Sequence, residues 1–166
     1  SGVLPHSAYL LLAEHIHHPI PDLWWDDFAA RLRSRPLGPQ EMNAVASLVH
    51  CARSRECNFP PERIEGLFRA ADAQGPRADM VTMHGDYLLN LLGERDRTLA
   101  LWQQAVALAP TTAQYRINLV KLLITMGRYE EARGQIAEIR RLGALGQYDK
   151  AATDLETRMA NAQVPP

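Results

Sequence analysis

Apolar residues recur three and four positions apart along almost the whole chain, as in Trp24, Phe28 and Leu32, in Leu88, Leu91 and Leu92, and in Ile117, Val120 and Ile124. That spacing gathers them on one face of an α-helix, and no stretch alternates apolar with polar residues between turn signals as a half-buried strand would. The chain is predicted to be all-α. Proline and glycine then cut the pattern into short helices. Pro19 and Pro21 end a first helix from about Ser7 to Ile16, because proline cannot donate to the helix ladder and restricts the residue before it. Asp22 is the expected N-cap of a second helix, to about Ser34, and Pro39 lies in the first turn of a third, which ends near Ala52 to Ser54. Pro60 and Pro61 open a fourth, to about Ala73. Helices are then expected from Ala78 to Leu92, Arg95 to Ala109, Thr112 to Met126, Tyr129 to Leu142 and Tyr148 to Ala162. Connections this short make successive helices antiparallel neighbours.

The punctuation also repeats. The interval from Gly93 to Gly127 is the same as that from Leu88 to Leu122, from Leu89 to Leu123, and from Leu108 to Leu142. It is the length of one helix–turn–helix repeat, about 34 residues. Each glycine suits a tight turn between helices, Trp102 and Ile136 are bulky knobs, Ala105 and Ala132 allow close helix approach, and Pro110 stops a helix. Phe68, Ala71 and Pro76 stand one such interval before Trp102, Ala105 and Pro110, which marks a degenerate earlier copy.

These residues, and above all Gly127-Arg128-Tyr129-Glu130-Glu131-Ala132, resemble the tetratricopeptide repeat (TPR) family. The resemblance covers about Asp79 to Leu142 well and Met42 to Gly75 poorly. It departs from the pattern at Thr98 and Ile139, where alanine is usual, and at Ala144, where proline is. It implies a right-handed α-helical solenoid of antiparallel helix pairs. The organisation expected is an N-terminal helical pair over 1–38, a degenerate repeat-like pair over 39–77, two repeats over 78–146, and a C-terminal capping helix and tail over 147–166. The family's register places Met83, Tyr87 and Asn90, with Gln114, Ile117 and Lys121, on a concave groove that binds a peptide or a neighbouring domain. A basic clamp for a carboxylate, known in the family, has only Arg116, Asn118 and Lys121 to hint at it.

Composition narrows the classes of partner. With 18 basic and 19 acidic residues the formal net charge is −1, so there is no basic surplus to neutralise phosphates, and nucleic acid is not an expected partner. The longest uninterrupted apolar run, Ala8 to Ala13, is far short of the roughly 20 residues that span a bilayer, so no membrane span is expected. No secretory signal is written in these residues, and the chain is read as a piece of a larger protein.

Cys51 and Cys57 are the only cysteines. On one continuous helix they would point to different faces, so a bond between them needs the helix to end in between, which Ser54 and the following Asn58-Phe59-Pro60-Pro61 allow. A bridge would pin the end of the third helix to the loop before the fourth and stabilise by roughly 2 kcal/mol in the chain-entropy model. It implies an oxidising compartment, whereas two free thiols would suit a cytoplasmic core. A helical-repeat module with this pair, then Pro-Pro and an Ile-x-x-Leu-Phe helix, resembles the periplasmic C-terminal region of bacterial O-antigen ligases, polymerases and protein O-oligosaccharyltransferases. That resemblance implies a periplasmic accessory domain of a membrane glycosyltransferase or glycan polymerase, helping to handle acceptor or chain; the alternative location is cytoplasmic.

Residue patterns that carry chemistry are few. His15 and His18 share a helix face, but His17 points elsewhere and Pro19 breaks the helix, so a solvated helix end is favoured over a metal site. Asp26 and Asp27 after Trp24 and Trp25 could be paired acids beside a sugar-stacking platform, yet adjacent carboxylates diverge on a helix, and acids in a first turn suit its dipole. Arg31, Arg33 and Arg35 are read as solvated cations at a helix end. There is no phosphate-binding glycine loop, nucleophile elbow or His-Glu-x-x-His, so neither a catalytic residue nor a cofactor is expected. The expected function is protein–protein interaction, with a peptide or protein segment as partner.

Overall fold

The computed structural model describes residues 20–54 and 57–164. The helix expected over 7–16, and with it the histidine cluster, lies outside these. The described residues form eight α-helices: α1 Asp22–Ser34, α2 Pro39–Arg53, α3 Pro61–Asp72, α4 Ala78–Tyr87, α5 Arg95–Leu108, α6 Ala113–Thr125, α7 Tyr129–Leu142 and α8 Asp149–Gln163. Among the described residues there is no strand. The chain forms two compact units divided between Leu92 and Gly93, inside the first expected repeat.

Proline sets the starts where local chemistry demands it, for Pro39 and Pro61 are the first residues of α2 and α3. Asp22 is not the N-cap; it is already helical, with Pro21 before it, and its side chain serves an ion pair instead. The helix expected to continue to Leu92 changes form after Tyr87, and Leu88–Leu92 is a π-turn. Within this widened turn the Asn90 side-chain amide donates to the Asp86 carbonyl at 2.9 Å.

In the first unit α1 packs chiefly on α3, the next helix but one, and not on its successor. Arg63 at the start of α3 pairs with Asp22 and Asp26 at the start of α1, while the Gln74 amide just beyond α3 bonds the Arg33 carbonyl near the end of α1, so the two helices run parallel. Trp25, Phe28 and Leu32 of α1 and Ile64, Leu67 and Phe68 of α3 are buried, as are Val45, Leu48 and Val49 of α2. Arg31 reaches Glu41 at 3.0 Å across the α1–α2 connection. The other Glu41 oxygen accepts the Gly38 N–H at 3.1 Å. Burial works to raise the Glu41 pKa, but its own backbone N–H, Arg31 and the Gly38 N–H together hold the carboxyl below the usual range.

In the second unit α5 packs on α6, α6 on α7, α7 on α8, and α6 also on α8. Tyr129 at the start of α7 donates to the Ala162 carbonyl at the end of α8, and Arg140 near the end of α7 pairs with Glu156, so this pair is antiparallel. Trp102, Ala105, Ala132, Ile136 and Ile139 are core residues. Thr98 is fully buried yet satisfied, because its hydroxyl donates to the Glu94 carbonyl at 2.8 Å. Gly93 and Gly127 both adopt positive φ, 67° and 72°. At Gly127 the Arg128 N–H donates to Leu123 and the Gly127 N–H to Ile124, the paired bonds of a Schellman cap. After α7, Ala144 begins a short 3₁₀ turn that holds Leu145 at φ 55° with its side chain fully exposed.

Candidate functional site

The six expected groove residues divide between the units, Met83, Tyr87 and Asn90 in the first and Gln114, Ile117 and Lys121 in the second. On α6, Gln114, Ile117, Asn118 and Lys121 fall at intervals of three, one and three residues, a single stripe along the helix. Gln114 and Lys121 are exposed, Ile117 and Asn118 half-buried. The flanking Leu119, Val120, Leu122 and Leu123 are buried, while Tyr115 and Arg116 are half-buried and Thr125 is exposed, so the stripe lies on the side that α6 turns away from its core. Gln114 donates to Asn118 at 2.9 Å. Arg116, a candidate for a carboxylate clamp, is committed to holding the fold, with one Nη on Gln135 at 2.7 Å and the other on the Pro110 carbonyl at 3.3 Å.

The matching residues of α4 do not behave alike. Tyr87 is 2% exposed, its ring 6.1 Å from Phe68, and so belongs to the core instead of a ligand surface, a correction to the register reading. Lys121, its counterpart one repeat interval later, is exposed, and so is Gln114 where Met80 is buried; conversely Asn90 is exposed where Ile124 is buried. The helix before Gly93 thus turns a different side to its own core than the helix before Gly127 does, and the π-turn shifts its last residues again. Met83 is half-buried. Asn90, though exposed, spends its amide on the Asp86 carbonyl and carboxylate. Asp86 in turn holds Arg53 of α2 at 2.6 Å.

Trp25 is buried with its ring edge-on to Phe59 at 5.5 Å, and Trp24 packs against Trp25 and Phe28. A sugar-stacking platform needs an open ring face, which Trp25 lacks. Asp26 is neutralised by Arg63, and Arg31, expected in solvent, is half-buried in its pair with Glu41. Cys51 and Cys57 are both buried and stand at disulfide distance, Cα to Cα 5.3 Å, with α2 ending at Arg53 between them.

One cluster had no motif to announce it. The His84 imidazole of α4 lies flat on the Phe68 ring of α3, centroids 4.4 Å apart and planes 8° from parallel, and its Nε2 is 3.9 Å from a Glu65 carboxylate oxygen. Further along α3, burial raises the Asp72 carboxyl above its ordinary value. Among the described residues no group of three histidine, cysteine or acidic side chains could hold a metal, and no helix is long and apolar enough to cross a membrane. No protein-family model matches the chain, nor does any curated protein or solved structure.

Proposed function

We propose that this chain is a repeat-like helical interaction module, a solenoid of antiparallel helix pairs whose exposed α6 stripe of Gln114, Ile117 and Lys121 receives an extended protein segment. The observation that carries this is the stripe itself: polar and amide groups around a half-buried isoleucine, on a helix otherwise packed into its unit. An ammonium that faces solvent can add a charge-assisted bond to a carboxylate, while Gln114 and Asn118 can meet a peptide backbone. The turns at Gly93 and Gly127, one repeat interval apart with the same left-handed backbone, support the repeat. The segment has no turnover of its own in this reading.

A second reading concerns the parent protein. The buried Cys51–Cys57 pair favours an oxidising compartment, and with it a periplasmic accessory domain of a membrane glycosyltransferase, O-antigen ligase or glycan polymerase, helping to handle acceptor or chain.

The interaction reading is tested with peptides selected on the folded chain from a random display library. Selected peptides should carry an acidic side chain or free carboxylate, and Lys121→Glu should weaken them by about 1 kcal/mol or more, roughly fivefold, with the melting temperature almost unchanged. Peptides bound equally by wild type and Lys121→Glu would move the interaction off α6.

A further inference from the structure

The contact between α3 and α4 contains an ionisable ring that no part of the interaction reading uses. His84 is 8% exposed and lies face to face with Phe68, which is itself buried. Its Nε2 is 3.9 Å from Glu65, whose side chain is only 16% exposed. Glu65 has a second cation at the same distance, Arg69, but that guanidinium is 67% exposed and its charge is screened by water. The imidazole approaches from the buried side, its own side chain only 10% exposed. A carboxylate held this far out of water gains most from a charge placed beside it in the same low-dielectric surroundings, and an imidazolium over an aromatic face gains from the ring quadrupole as well.

Of the other ionisable groups on α2 and α3, Glu41 pairs with Arg31 and Arg63 with Asp22 and Asp26, while His50 and Glu62 are exposed. Arg53 of α2 pairs with Asp86 on the solvent side of α4, and Asp79 at the start of α4 pairs with Arg77. Asp72 lies seven residues beyond Glu65 on α3, about two helical turns away. The π-turn, Leu88–Leu92, has no ionisable side chain.

We propose that His84 takes up a proton between Phe68 and Glu65 and thereby makes the packing of α3 on α4 tighter in mildly acid solution than in alkaline. The folded state then binds this proton more strongly than the unfolded chain. Its stabilising effect is complete below the unfolded-state titration of histidine and is lost as pH rises through the folded-state midpoint. Unit one thus carries a proton-sensitive joint, built from one histidine, one half-buried acid and one phenylalanine.

The test is an NMR titration of the full chain, with the His84 ring proton assigned by its loss in His84→Phe. In Glu65→Gln the His84 titration midpoint should move to lower pH than in wild type. The wild-type urea midpoint should be higher at pH 6 than at pH 8 by more than in His84→Phe, a variant that keeps an aromatic stack on Phe68 but cannot protonate. An unchanged or higher His84 midpoint in Glu65→Gln would overturn the proposal, as would equal pH dependence in wild type and His84→Phe. Should His84→Phe not fold, the ring proton is assigned by triple-resonance spectra and the Glu65→Gln titration alone decides.

Discussion

Two glycines of the second unit should respond in opposite directions to the same substitution. Gly127 closes α6 at φ 72°, and a Cβ built there meets nothing within 4 Å. The cost of Gly127→Ala is therefore one of backbone conformation and not of collision. Placing an L-residue in the left-handed region costs about 1–2 kcal/mol. The unfolded chain loses freedom with alanine, which returns about 0.4–1 kcal/mol. The net expectation is a loss of about 1 kcal/mol. Gly134 lies within α7, exposed, and a Cβ there also meets nothing within 4 Å. Its backbone is already what alanine prefers, so Gly134→Ala should gain about 0.8–1 kcal/mol. Urea unfolding followed by circular dichroism reads both. With a slope of about 2 kcal/mol per molar urea, Gly127→Ala should fall by about 0.5 M in midpoint and Gly134→Ala rise by a similar amount. Gly127→Asn should lose less than Gly127→Ala, because asparagine tolerates the left-handed conformation. If Gly127→Ala matched or exceeded wild type while Gly134→Ala fell, the assignment of a Schellman turn after α6 would be refuted.

Acid should weaken the α1–α2 connection through Glu41. Its carboxyl titrates below the usual range in the fold, so its stabilisation is present above the unfolded-state value and is lost as pH falls through the folded-state value. Between about pH 5 and pH 3 wild type should therefore lose more stability than Glu41→Gln, and equal losses in chemical denaturation would remove Glu41 from the account. The cysteines should resist alkylation in protein exported to an oxidising compartment until a reductant is added, and Cys51→Ser with Cys57→Ser should cost roughly 2 kcal/mol. Two freely labelled thiols by intact mass in such material would refute the bridge.

Much of the local structure was legible because the residues that fix it act over a few positions. Pro39 and Pro61 mark helix starts through a fixed φ and a missing donor, and Gly127 marks a turn through the one conformation other residues avoid. The spacing of Trp102 and Ala105, or of Ala132 and Ile136, announced their burial, since a helix face repeats on its own period. The Asn90 side chain was in plain view as well, but its bond to the Asp86 carbonyl is one of several that such an amide can make, and the sequence does not decide among them.

What the tertiary structure alone decided is which side of each helix meets which neighbour. Equal spacing from Tyr87 to Lys121 suggested equal roles, yet one is core and the other exposed, because rotation about a helix axis is set by the sum of its contacts and not by its own period. The same holds for α1, which passes over α2 to pack on α3, and for His84, Phe68 and Glu65, whose meeting depends on two helices lying side by side. Helix, turn and apolar face are properties of a few consecutive residues, so the sequence determines them by itself. Partner and rotation are minimised over the whole unit, where many weak contacts compete, and only the folded chain resolves them.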